Sequence, residues 1–422
     1  MDWYLGVRAV RMRTTPGDNS FAGGRELSTS VSNCLEFALA IALAGFSQRS
    51  RGVDFVPPFC PHRDCPRHRR DDPTAFSFVR HGSYKRKGDL RVVPRFRCST
   101  CRGTLSEQTF STTYYLKCPE LLPPVAAGLE AGSAHRQLAR SLGCAPSTVT
   151  RLSERLGRHA MLLHALALER LEQIQEPVIY DHFETFAASQ EQALGIGTAV
   201  GQSSWFIYEL DYVLHRRGGR RTPAQQARQI GPVPRGKGYG HAFRSTLDRL
   251  EGKVAPARRL TLVTDDHPGY RLAPRHASKV DHQVFANPNR AYKGAPRSPE
   301  AIVRDWQMFA TDQLHGLLRH SLAHHRRETI AFGRRHNAVL ERVALMAVWR
   351  NFIKMRSERK PRDTPAMRVG LTDRPWSWSH ALARRLFPSR VRLPATWQAL
   401  YRRELLTAGL APQRRHARVH AF

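Results

Sequence analysis

The chain has 422 residues, with 67 Lys and Arg against 35 Asp and Glu, a formal charge of +32; this length excludes a small disulfide-stapled scaffold and leaves room for two or three domains. Such a charge predicts a polyanionic partner. Because Arg is spread along the sequence instead of lining one amphipathic helix, nucleic acid is favoured over a membrane surface.

Residues 1–55 read as a leader of mixed polar and Gly-containing sequence, to which no function is assigned. Its apolar run, Cys34–Phe46, contains Glu36 and falls short of the ~20 residues of a membrane span. Lying behind a polar leader, it is expected to be a packing helix and not a secretion signal.

Over 56–118 the cysteines fall in two close pairs, Cys60/Cys65 and Cys98/Cys101, with 32 residues between them. Two thiolate knuckles separated by a hairpin-length segment can converge on one tetrahedral zinc. The intervening Phe76, Phe78, Val79, Tyr84, Val92, Val93 and Phe96 are strand-like, which suits a zinc ribbon. The first knuckle is longer than usual, so His62 and His68 stand as substitute ligands. Free thiols, or a redox site at the second pair, are the other readings.

Residues 119–172 turn helical. A helix over Ala134–Leu142, a turn at Gly143–Pro146 and a second helix over Ser147–Gly157 give the helix-turn-helix layout. Its second helix would offer Ser147, Thr148, Thr150 and Arg151 to DNA while Val149, Leu152 and Leu156 face inward. An ordinary helical hairpin is the alternative. His159–Leu171 is expected to be a separate helix leading away as a linker.

From 173 the pattern changes to strands at 178–186, 193–201 and 203–214, then a basic stretch, a helix over His241–Leu250, and strands at 258–266 and 279–286. Asp181 sits mid-strand, a costly place for an unpaired acid. Asp265 and Asp266 end a short apolar run before a Pro-Gly turn; an exposed turn is the plain reading. The order βββαβαβα with acids on the first and fourth strands is the ribonuclease-H-like arrangement. It makes those strands neighbours, so Asp181 and Asp265 would face one another and require a cation between them. Glu184 and Asp266 are weaker candidates for the two positions.

The block 332–377 strengthens this. With Asn351-Phe352, Thr364-Pro365-Ala366, Gly370 and Trp376, it resembles transposases of bacterial insertion sequences, in the DDE class with an N-terminal zinc ribbon and helix-turn-helix. The resemblance covers roughly 58–380. It implies a multidomain α/β protein: the ribbon and helix-turn-helix, a ribonuclease-H-like catalytic core over 173–358 and a helical basic tail over 359–422. It further implies double-stranded DNA as partner, two Mg²⁺ or Mn²⁺ in the catalytic site beside one structural Zn²⁺, a homodimer or higher assembly on DNA, no membrane, and a place in the bacterial cytoplasm at the nucleoid.

The third acid then falls on Asp312, where the family carries Glu, with Arg319 matching a family basic residue. Glu341 and Glu328 are the other candidates. Asp312 lies off the expected apolar stripe of Val303, Trp306, Ala310, Leu314 and Leu317. Asp is one methylene shorter than Glu, so a catalytically impaired, transposase-derived DNA-binding protein or repressor is the alternative; a nuclease acting on RNA is a third reading. The tail from Arg384 is either a phosphate-contacting extension or a solvated basic segment.

Overall fold

A computed structural model describes residues 55–407 apart from 70–75, 216–221, 228–237, 273, 291, 293, 327 and 328. The expected helix over Cys34–Phe46, the candidate Glu328 and the tail beyond 407 lie outside the described residues.

The aromatic alternation after the first cysteine pair makes a small antiparallel sheet of β1 (Phe78–Lys85), β2 (Val92–Cys98) and β3 (Thr104–Ser106), in that order. One face is apolar: Phe96, Leu105 and Phe110 are buried with the cysteines, and Phe55, Phe59, Phe76 and Phe78 pack around them. Three helices follow: α1 (Leu122–Glu130), α2 (His135–Ser141) and α3 (Pro146–Arg170). Gly143, with φ of +60°, makes the turn before α3, and Pro146 opens that helix, where its missing N–H costs nothing.

The larger sheet uses β4 (Val178–Ala187), β5 (Ser189–Gly201), β6 (Ile207–His215), β7 (Leu260–Thr264) and β8 (Val280–Val284). Its spatial order is β6-β5-β4-β7-β8. The first three strands pair antiparallel as a meander, β7 joins β4 in parallel, and β8 joins β7 in parallel. The protein is thus a mixed α/β chain with two sheets among the described residues. Helix α4 (Tyr239–Glu251) links β6 to β7, and α5 (Pro299–Gln307), α6 (Phe309–Ser321) and α7 (His336–Val348) follow β8. The helix expected between the fourth and fifth strands is replaced by two 3₁₀ turns, Pro268–Tyr270 and Pro274–His276. Each turn opens on a proline, which cannot sit in a helix interior.

Two expectations about helices are corrected. Residues 146–170 form one continuous helix instead of a reading helix and a separate linker. Gly157, taken from sequence as an end, lies at a helix crossing: a Cβ there would meet the backbone oxygen of Glu341 at 2.6 Å, so only glycine lets α7 come this close. Ala160, Met161, Leu162 and Ala165 beyond it are buried in the main core. The stripe through 303–317 is also broken, because the chain turns at Met308 between α5 and α6. Val303 and Trp306 are exposed, while Met308, Ala310, Leu314 and Leu318 are buried.

From Arg385 to residue 407 the segment is not a solvated tail but packs on the rest of the described chain. Phe387 packs into the ribbon's aromatic cluster, and the Arg385 N–H donates to the Phe110 carbonyl at 2.7 Å. Farther on, α8 (Ala395–Tyr401) sends the Trp397 indole N–H to the Leu210 carbonyl on β6 at 2.8 Å. The segment is a strap that ties the small sheet, the helices and the large sheet together.

Candidate functional site

Cys60 and Cys65 leave a turn closed by the Cys65 N–H on the His62 carbonyl, and Cys98 and Cys101 leave the turn after β2. Their four sulfurs converge, all within 4.8 Å of one another, with Cys60 3.6 Å from Cys101 and Cys65 3.9 Å from Cys98. Tetrahedral zinc at ~2.3 Å from each sulfur requires sulfurs about 3.8 Å apart, so the cluster fits that ion and is far too open for a disulfide. Burial is the largest influence on Cys98 and acts against ionising it, but the backbone N–H groups of Cys101 and Thr100 together with the Cys101 and Cys60 thiols bring this thiol down to about 7. The two histidine substitutes are placed elsewhere. His62 Nε2 lies 3.1 Å from the Thr104 carbonyl, and His68 donates to the Cys60 carbonyl at 2.8 Å while meeting Ser389 Oγ at 2.7 Å.

The second candidate site lies where β4 runs past the end of β7. Pairing of the two strands matches Val178 with Leu262 and Ile179 with Val263. Extending that register two residues sets Asp181 level with Asp265, just beyond the last residue of β7. The Asp265 carboxylate accepts from the His267 N–H at 3.1 Å, which shapes the following turn. Asp181 Oδ1 accepts from its neighbour's backbone N–H at 2.7 Å and from the Tyr270 hydroxyl at 3.2 Å. Even so, burial first and then the negative charges of Asp265 and Asp312 raise the Asp181 carboxyl to about 7.

Asp312 enters from the first turn of α6, which lies across β4 and β5. Its carboxylate is gripped by both terminal nitrogens of Arg304 on α5, one at 3.2 Å from Oδ1. One turn on, His315 Nδ1 lies 3.7 Å from Asp181 Oδ2, and its Nε2 is 3.0 Å from the Thr198 hydroxyl. That hydroxyl donates to the Asp181 carbonyl, so Nε2 carries the imidazole proton and the Nδ1 lone pair faces the acid. Burial, aided by Arg319, holds His315 neutral by lowering it to about 3. A carboxylate oxygen and an imidazole lone pair therefore share one small space, which suits a proton or a cation. Among the described residues the oxygens of the three acids do not form one cluster within 4.8 Å, as the four thiols do.

Arg319 lies on the same helix face, its guanidinium 4.7 Å above the Phe183 ring. The weaker candidates separate from this cleft. Glu184 turns to His215 at 2.9 Å and Tyr239 at 2.8 Å. Asp266 is exposed on the turn, and Glu341 is buried against Gly157 and Arg403, 3.3 Å away. At the start of α3, Ser147 and Arg151 are exposed and Thr148 is half-buried. Thr150 is engaged within the protein, 3.1 Å from the Pro146 carbonyl and 3.0 Å from His135 Nδ1. Val149, Leu152 and Leu156 face inward as expected.

Sequence reading missed Arg304, Tyr270 and His315. A signal existed for two: Tyr270 closes the turn that Asp265 begins, and His315 falls one helical turn after Asp312. Residues 351–376, which carry the resemblance, make packing and hydrogen-bond contacts within the protein. Asn351 exchanges two hydrogen bonds with Ile207 at the start of β6, at 2.9 and 3.1 Å, and Phe352 stacks on Trp376 at 4.2 Å. No helix of the described residues is long and apolar enough to cross a membrane. No protein-family model and no curated protein matches the chain.

Proposed function

We propose that the protein is a DDE-type transposase that binds the ends of a bacterial insertion sequence and performs metal-dependent DNA strand cleavage and strand transfer. The observation that carries this reading is the placement of the half-buried Asp181 level with Asp265 on the neighbouring strand, with His315 of the helix that bears Asp312 3.7 Å from its carboxylate. There the charges of Asp265 and Asp312 help raise the Asp181 carboxyl to about 7. A sheet with three antiparallel strands first and the fourth in parallel beside the first supports a ribonuclease-H-like core. All three acids offer the oxygen donors that Mg²⁺ or Mn²⁺ prefers, but Asp312 is held by Arg304. Bound there, such ions would supply charge neutralisation for in-line phosphodiester displacement.

Within this reading Asp181 and Asp265 would hold the ions, and Asp312 would be free to join them only if Arg304 turned to a phosphate, a role its forked guanidinium suits. Arg319 positions backbone phosphates at the rim. The ribbon with its zinc and the exposed start of α3, Ser147, Thr148 and Arg151, recognise duplex DNA, and two copies pair the element's two ends at the bacterial nucleoid.

The grip of Arg304 on Asp312 also favours a second reading, a transposase-derived DNA-binding protein or repressor with an impaired core. Supercoiled plasmid carrying the element's ends separates the two when incubated with Mg²⁺ or Mn²⁺. Nicking or joining that disappears in Asp181→Ala, Asp265→Ala and Asp312→Ala, with DNA binding retained, supports the enzyme. Binding without any cutting by the wild type supports the repressor.

A further inference from the structure

We propose that the zinc-bearing sheet carries a separate binding groove for single-stranded DNA, in which Tyr115 and Tyr84 stack on unpaired bases while Lys87, Arg95 and Lys117 hold the phosphates. The groove, of about 850 Å³, lies between the β1–β2 hairpin and the loop leading to residue 117, and no Asp or Glu lines it. Cations beside accessible aromatic faces are the combination single strands need, because their bases are free to stack; duplex DNA offers no such faces.

Tyr115 is the strongest sign. Its side chain is 86% exposed and meets the Tyr114 ring edge-on at 4.4 Å, so most of an aromatic ring whose burial would be favourable is left open. Its backbone has a φ of +61°, a conformation costly for an aromatic residue and kept only where the surroundings impose it. The surroundings do impose it. Arg86 donates to the carbonyls of Thr113 and Leu116 at 3.2 and 3.0 Å. Tyr114 is fixed on both sides, its carbonyl accepting from Arg155 at 2.8 Å and its ring lying 4.8 Å from the Arg385 guanidinium. A Cβ on Gly88 would meet the Lys117 carbonyl oxygen at 2.7 Å, so the hairpin tip and the loop touch. The groove is therefore pre-formed, with one ring held out into solvent.

Its position extends the reading of function. Arg155 stands one helical turn beyond Arg151 on α3, so the groove borders the surface offered to duplex DNA. The proposal rests on the DNA-processing reading only for the origin of the strand, which would be the frayed or freshly cut end next to the bound duplex.

The test is fluorescence anisotropy of the full chain with labelled oligothymidylate, a duplex of equal length and oligouridylate, each over a series of salt concentrations. Tyr115→Ala should weaken oligothymidylate binding roughly tenfold at every salt concentration, as loss of one stacked base does. Duplex affinity should change less than about twofold, since stacking is absent from backbone contacts to a duplex. Tyr115→Trp should restore single-strand binding. Lys117→Ala should instead flatten the salt dependence by about one phosphate contact. Equal loss for single strand and duplex, no loss, or tighter binding of oligouridylate overturns the proposal. Tyr115→Ala should lose single-strand affinity by the same factor whether or not the protein cuts DNA, so the two readings fail separately.

Discussion

Asp181 is placed where an ionised carboxylate is costly, and the cost has a measurable sign. Its carboxyl titrates at about 7, because of burial and then the charges of Asp265 and Asp312, against an ordinary value near 3.8. The folded protein therefore binds a proton that the unfolded chain has already lost between these values. The stabilisation is fully present below the ordinary value and disappears as pH rises through about 7. Without divalent ions, Asp181→Asn should raise the melting temperature at pH 8 and change it little at pH 3.5; scanning calorimetry at both pH values checks this, and equal shifts would remove the titration argument. Metal binding should also release about half a proton per chain at pH 7 and close to one at pH 5.5, measurable by calorimetry in buffers of different ionisation enthalpy. Asp181 and Asp265 were legible in the sequence because an acid in or at the tip of an apolar strand breaks a local pattern. Arg304 was not, since its partner Asp312 is met only after the chain turns at Met308.

The small sheet is the element whose stability depends most on chemistry outside its apolar core. Its buried cluster holds few aliphatic side chains, and three of the four thiols are themselves buried. One zinc per chain is the expected stoichiometry. Removing it with a strong chelator, or replacing Cys98 by Ser, should expose the ribbon's aromatic cluster and make the 60–118 segment sensitive to protease, while far-ultraviolet circular dichroism of the helices is largely kept. Simultaneous loss of all helical signal would show that the ribbon is no independent element. The ribbon was readable from sequence because cysteine spacing is local. The single helix from Pro146 to Arg170 was not, because glycine at 157 reads as a stop unless the crossing of α7 is known.

At the scale of the whole molecule, the strap from Arg385 to Thr407 joins elements far apart in sequence. His68 with Ser389, Trp397 with β6, Asn337 with the Leu400 carbonyl at 3.1 Å and the His336 N–H with the Thr407 hydroxyl at 2.9 Å hold it along its length. Trp397 is nearly fully buried, so Trp397→Ala should cost about 3–5 kcal/mol, the range for deleting a large core aromatic. Urea denaturation is the measurement, and a loss under about 1 kcal/mol would reduce the strap to a surface covering. Ending the chain at Ala383 should leave it insoluble even though every candidate site residue is retained.

What the sequence by itself determined is local: the cysteine knuckles, the strand succession with its acids, the turn before α3 and the inward face of that helix. Each depends on a period or spacing carried by a few consecutive residues. Only the tertiary structure decided that Asp312 is held by Arg304, that His315 points a lone pair at Asp181, that Tyr115 stands exposed over a basic groove, and that residues 385–407 form a strap. These depend on residues brought together across a turn, a sheet or most of the chain, and no short-range pattern records such pairings.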